Sequence, residues 1–163
     1  MSATQDLRAI LDERIAVLDG SWGVLIHSRK FTEADYRGAR FADHPRDVKG
    51  DPDLLNLSQP GVVAQIHAEY FAAGADITTT NTFTATSIGQ ADYGLETFAP
   101  EMSLEGARIA RRVADEWTAR EPSRRRFVAG AVGPLNVSLS VSPKVEDAAF
   151  RAVTFEQVRA SYA

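Results

Sequence analysis

The sequence predicts an α/β protein built on parallel strands, and three observations carry that expectation. The run Ile15-Ala16-Val17-Leu18 is apolar and stops at Asp19, which Gly20-Ser21-Trp22-Gly23 follows. Two more short runs, Ala75–Asn81 and Phe127–Val132, are rich in β-branched and small residues and also end at polar or glycine breaks. Between the runs lie segments whose apolar residues recur at helical spacing. Strand, helix, strand in that order is the pattern of a parallel sheet, and short apolar runs suit strands covered on both faces.

The elements follow in order. Leu7, Ile10 and Leu11 give an opening helix one apolar stripe, and Ser2 and Gln5 have capping-box spacing at its start. The first strand ends at Asp19, with Val24–Ile26 extending the structure or packing the turn. Residues 28–59 are polar and irregular, far longer than the roughly 2–6 residues of an ordinary βα loop. Tyr36, Phe41, Leu54 and Leu55 are apolar anchors in this stretch, so it reads as a functional loop or as a cover over one end of the fold, and not as a flexible linker. Ser58 is placed as an N-cap with Pro60 in the first turn. Val62, Val63, Ile66 and Tyr70 line one face of the helix that follows, and Gly74 ends it. The second strand is Ala75–Asn81. Ser103 is read as the cap of a further helix, whose apolar face is Ala110, Val113, Ala114 and Trp117. Arg108, Arg111, Arg112 and Asp115 lie opposite. Pro122 stops this helix, and the third strand, Phe127–Val132, ends at Gly133-Pro134. Thr154 and Gln157 make a capping box for a last helix that begins with Phe155 and Val158.

Composition narrows the function. The chain has 163 residues, 44% hydrophobic and 25% charged, with a net charge of −4. That is the balance of one globular domain, residues 1–163, without the basic footprint of a nucleic-acid binder. Arg124-Arg125-Arg126 reads as a solvated loop. The sequence contains no cysteine, which excludes disulfides, thiol nucleophiles and Cys-ligated zinc within it. No apolar run is long enough for a bilayer and the first residues carry no leader pattern, so a cytoplasmic location is expected. His27, His44 and His67 show no metal-ligand spacing: His67 reads as a surface or helix-flank residue, His27 as structural. Gly130-x-x-Gly133 lacks the Lys-Ser/Thr of a phosphate loop. Glu146-Asp147 reads as solvated charge.

Six blocks carry a resemblance: Arg14-Ile15 with Leu18-Asp19-Gly20; Ala34-Asp35-Tyr36-Arg37-Gly38 with Arg40-Phe41-Ala42-Asp43; Gly74-Ala75-Asp76-Ile77; Thr80-Asn81-Thr82-Phe83; Ala91-Asp92-Tyr93; and Gly133-Pro134 with Asn136. Over nearly its whole length the chain resembles the N-terminal homocysteine-binding domain of cobalamin-dependent methionine synthase. The resemblance implies a (β/α)8 TIM-type barrel, of which this chain is the first part: a leading helix and about three βα units, the barrel not closed. It also implies homocysteine as substrate, methyl transfer to its sulfur, and zinc and cobalamin in the full-length enzyme. Zinc matters because the thiolate, not the thiol, attacks, and a coordinated thiol is deprotonated. The cysteines that hold that zinc belong to later strands of the family, so this chain alone is expected to bind no metal and to be inactive. The implied partners are the remaining barrel half and the cobalamin and folate domains.

The resemblance places Asp19, Gly20 and Ser21 at the rim that holds the amino acid part of homocysteine. An ammonium suits the carboxylate and a carboxylate suits turn N–H groups. From the residues alone, Asp19 equally reads as a turn cap. Thr80 and Asn81 end the second strand and Asn136 follows the third, each able to line the mouth or to form a local turn. Thr79, Trp22 and Leu135 depart from the residues common in the family (Glu, Met and Thr). Two other readings stand beside the enzyme fragment. One is a non-catalytic binding module that completes a barrel with a second chain. The other is an independent α/β domain of unrelated function. Exposed strand edges predict self-association or such pairing.

Overall fold

The computed structural model describes residues 3–163. In chain order it forms α1 (Ala3–Glu13), α2 (Trp22–Ser28), α3 (Glu33–Arg37), α4 (Leu55–Ser58), α5 (Pro60–Ala72), β1 (Ile77–Thr79), α6 (Ala99–Arg120), β2 (Phe127–Ala129) and α7 (Phe155–Tyr162). Short 3₁₀ turns at Gly89–Asp92 and Glu96–Phe98 lead into α6. β1 and β2 are parallel, with Ile77 opposite Phe127 and Thr79 opposite Ala129. On the other side of β1, Leu18 forms a single parallel bridge to Ile77. Three parallel segments therefore lie side by side in the order Leu18, β1, β2, and the α/β parallel class holds.

Helices α5 and α6 form the layer against this sheet. Val63 and Ile66 of α5 and Met102 and Ile109 of α6 share a core with Leu54, Leu55, Tyr36 and Phe41. Phe71, Ala75, Val113 and Ala114 make a second cluster. The long segment before α5 is a packed cover, as its anchors predict. A capping box joins Thr32 and Asp35 at the start of α3. Glu33 accepts from the N–H groups of Val48 and Lys49, and Arg37 donates to the carbonyls of His44 and Arg46. Arg40 grips Glu101 of α6 with both nitrogens, at 2.7 and 2.8 Å, and lies over Phe41 and Phe98. The Ala34–Gly38 and Arg40–Asp43 blocks thus do structural work.

Asp76 ties the base of the sheet. It is fully buried and accepts from Arg14 Nη1 and Nη2 at 2.7 and 2.8 Å, from the Val17 N–H, and from Arg124 Nε. The Arg14 hydrogen bonds are the main cause that holds its carboxyl far below the ordinary value. The triple-arginine stretch is consequently not a solvated loop. Arg126 is 1% exposed, donates to Ala75 O and Glu121, and sits over Phe71 and Trp117. Arg125 pairs with Asp6 of α1.

Other expectations are corrected. Ile15–Asp19 is not a doubly covered strand: Ile15 is 86% exposed, Val17 49% and Leu18 53%, because no second neighbour covers them among the described residues. Val24–Ile26 belongs to α2. Ser58 closes α4, and the cap residue of α5 is Gln59. Ser103 lies inside α6, where its hydroxyl donates to Ala85 O. His67 is fully buried. The expected cap at Ser2 lies outside the described residues. Gly74, with φ +103°, ends α5 as the sequence predicts, and Thr154 and Gln157 form their capping box.

Candidate functional site

The strand ends gather Asp19, Thr79, Thr80 and the segment after Ala129 at one face of the sheet, where parallel α/β proteins bind ligands. The backbone brings Asp19 there by pairing: its N–H donates to Ile77 O at 2.9 Å. Its carboxylate then reaches across to β1. Oδ2 accepts from Thr79 N at 2.7 Å, Thr78 Oγ1 at 2.9 Å, Thr79 Oγ1 at 3.1 Å and Trp22 Nε1 at 3.1 Å. Among the described residues, Oδ1 receives only the shared Thr79 hydroxyl, at 3.1 Å. One oxygen is saturated and the other keeps lone-pair capacity. Asp19 is half-buried, and Gly20 and Ser21 beside it are exposed. Tyr70 of α5 closes the turn from below, its hydroxyl donating to Ser21 O at 3.0 Å. Burial, and then the charges of Asp19 and Glu69, push the Tyr70 phenol up.

Behind Asp19 sits His67. Its Nδ1 is 2.7 Å from Thr78 Oγ1, and its ring meets Trp22 edge-on at 4.6 Å. Burial, with the charge of Arg112 second, pushes His67 down to about 4. Sequence reasoning missed Trp22, Thr78, Thr79 and His67 as partners of Asp19. Their signal was weak: a helix-borne His and two Thr in a β-branched run look like ordinary core and strand residues.

The remaining expected site residues are occupied in the structure. Thr80 knits the strand ends: its N–H donates to Ala129 O, and its hydroxyl accepts from Ala131 N at 2.9 Å and shares a hydrogen bond with Thr82. Asn81 is buried and faces α4, donating to Pro52 O at 2.6 Å and Asn56 Oδ1 at 3.2 Å. Asn136 is exposed and donates to Asp92. The structure therefore joins Asp19, Gly20 and Ser21 in one place, and each of Thr80, Asn81 and Asn136 in a separate network.

A cavity of about 480 Å³ lies between the start of α6, the segment after β2 and the end of α7. Thr82, Ser103, Gly133 and Tyr162 are among its walls, and none of the expected site residues lines it. Gly133 is required here: its N–H donates to Phe83 O, and a Cβ would stand 2.2 Å from that same oxygen.

A second buried polar cluster lies under the cover. Asp51, Asp53 and Gln90 are fully buried. Burial pushes Asp51 up to about 6 and, with the charge of Asp51 adding, Asp53 up to about 7. Gln90 donates to Asp51, and Thr84 donates to Asp53 through both N–H and hydroxyl. The donor set of the chain does not suit zinc. There is no cysteine, and no group of three His, Cys, Asp or Glu is arranged for a metal among the described residues. No described helix is long and apolar enough to cross a membrane.

Residues 16–163 match the family model described as homocysteine S-methyltransferase. Among solved structures, the chain is similar to the homocysteine methyltransferase MmuM from Escherichia coli. With its oxidized form it shares 27% identity at a TM-score of 0.61, over 78% of this chain and 40% of that one. With the metallated form the figures are 27%, 0.60, 78% and 41%. The chain thus spans about 40% of the length of that enzyme.

Proposed function

Because the chain belongs to the homocysteine S-methyltransferase family, we propose that it supplies the amino-acid-binding wall of a homocysteine pocket in a methyltransferase of the methionine synthase type, with Asp19 as the ammonium ligand. One observation carries the reading. At the strand-end face stands a carboxylate whose Oδ2 is held by four donors while Oδ1 keeps room for another. A charge-assisted hydrogen bond from an ammonium is the natural use of such an oxygen. Gly20 and Ser21 are the exposed backbone beside it, and the amino acid carboxylate is assigned to that turn. Thr80, Asn81 and Asn136 support the rim through the networks they make, in place of touching substrate.

In this reading the sulfur is activated outside the chain. The residues present do not fit zinc, so no step of methyl transfer is assigned to them. Cobalamin belongs to the full-length assembly in the same way. The chain binds and orients homocysteine; the strands that complete the wall bring the metal and the methyl donor.

The open edges favour a second reading of the same chain as a module that pairs with further strands. Ile15, Val17 and Leu18 on one side and Val132 on the other expose apolar side chains, Val132 at 78%. Those strands belong to the same polypeptide or to a second chain.

Titrating homocysteine into the isotope-labelled protein tests the primary reading. Backbone resonances of Asp19–Trp22 and Thr79 are expected to shift, and Asp19→Asn is expected to weaken binding about tenfold or more, the scale of a lost charged hydrogen bond. Unchanged affinity in Asp19→Asn would sink it.

A further inference from the structure

The hydrogen bonds behind Asp19 have a fixed direction. A carboxylate only accepts, so the single hydroxyl proton of Thr78 is committed to Asp19 Oδ2, at 2.9 Å. The Thr78 oxygen must then accept from its other neighbour, His67 Nδ1, at 2.7 Å. His67 is thereby the Nδ1–H tautomer. Its Nε2 is a bare acceptor, buried, with no hydrogen-bond partner among the described residues. Thr78 and His67 are each fully buried, and Trp22 both packs on the imidazole and donates to the same Oδ2. Four donors therefore converge on one oxygen of Asp19, and one of them, the Thr78 hydroxyl, comes from a fully buried residue.

We infer that Thr78 and His67 are positioning residues for substrate binding: the relay His67 Nδ1–H to Thr78 Oγ1–H to Asp19 Oδ2 locks the carboxylate rotamer and presents Oδ1 to the substrate ammonium. The inference rests on the homocysteine reading of Asp19 and names what aims that group. A buried donor chain of this kind suits the task because its members lose little freedom when ligand arrives. The Oδ2 acceptor is filled before binding, so an incoming ammonium meets one geometry and not two.

The test uses the whole chain and two ligands, homocysteine and 4-mercaptobutyrate, which is homocysteine without its amine. Long-range ¹H–¹⁵N spectra of wild type are expected to show His67 protonated at Nδ1 only. Thr78→Val keeps the shape of the side chain but removes the hydroxyl. It is expected to lower homocysteine affinity about tenfold while leaving 4-mercaptobutyrate within about twofold. Thr78→Ser, which keeps the hydroxyl, is expected to stay within about threefold of wild type for homocysteine. A merely structural threonine would weaken both ligands together, and that result overturns the inference. So does an Nε2–H tautomer in wild type, or full homocysteine affinity in Thr78→Val. The two failures separate cleanly: if Asp19→Asn loses homocysteine and Thr78→Val does not, positioning is wrong and the binding reading stands. If Asp19→Asn loses nothing, the binding reading itself falls, and the relay's role with it.

Discussion

Three carboxylates show how the same residue type serves different ends. Asp76 is paired with arginines, and Asp51 and Asp53 are buried with no cation paired to them among the described residues. For Asp76 the folded state lowers the carboxyl below its ordinary value of 3.8. Its stabilisation is intact above that value and is lost as pH falls through the acid range. Asp76→Ala leaves Arg14 and Arg124 without their shared acceptor, and because both arginines reach solvent the expected loss is about 2–3 kcal/mol in urea unfolding at pH 7. A loss under about 1 kcal/mol would mean the cluster is a surface ornament. Asp51 and Asp53 have the opposite sign. Their folded values, about 6 and about 7, lie above the ordinary 3.8. The contribution is fully present below pH 4 and is lost as pH rises through 6 to 7. The stability of wild type relative to Asp53→Asn is therefore expected to fall by on the order of 2 kcal/mol between pH 4 and pH 8. Chemical denaturation across that range checks it, and parallel pH curves would refute it. His67 pulls the other way in wild type and variant alike. Its value is lowered to about 4, so the stability it contributes is complete above pH 6.5 and fades as pH falls toward 4, which the comparison cancels.

Among the elements, the helices were easier to read in the sequence than the strands. The apolar faces of α5 and α6 and the capping box of α7 follow from spacing alone, because they are local. Ser58 and Ser103 misled because a residue with capping chemistry does not show which turn the backbone will start. Strands exist only through a partner. Ile15–Asp19 has β-branched and apolar content, yet it gains one bridge, at Leu18, since only β1 pairs with it among the described residues. Phe127–Val132 shortens to Phe127–Ala129 because β1 is equally short. The site divides the same way. Asp19 was legible as a polar strand end, whereas His67 was not, since nothing in one helix reveals that a distant Thr78 waits for its proton. Helix α7 has no buried residue, so its cap acts locally. Thr154→Ala is expected to cut hydrogen-exchange protection across Phe155–Tyr162 by about 1 kcal/mol without moving the global melting temperature. A global shift would show that α7 is part of the cooperative core.

At the scale of the whole molecule, the parallel segments leave two apolar edges exposed among the described residues. Apolar side chains stand exposed at Ile15, Val17 and Leu18 and again at Val132, an arrangement natural sheets avoid. The isolated chain is expected to sediment above the mass of a single copy, and Val17→Lys is expected to shift it toward monomer. A wild-type monomer at high concentration would contradict the pairing reading of those edges. The base of the sheet is tied by Asp76, and the opposite end, at Asp19, is where the proposed recognition lies, the division usual in parallel α/β architectures.

In the proposed reading Asp19 takes the substrate's amine through Oδ1. A crystal structure of the protein with homocysteine decides the matter. The amino nitrogen is expected at hydrogen-bond distance, about 2.7–3.2 Å, from Asp19 Oδ1, with Oδ2 still held by Thr78, Thr79 and Trp22. An amino nitrogen bound elsewhere, with Asp19 touching only its own strand and turn, would contradict it.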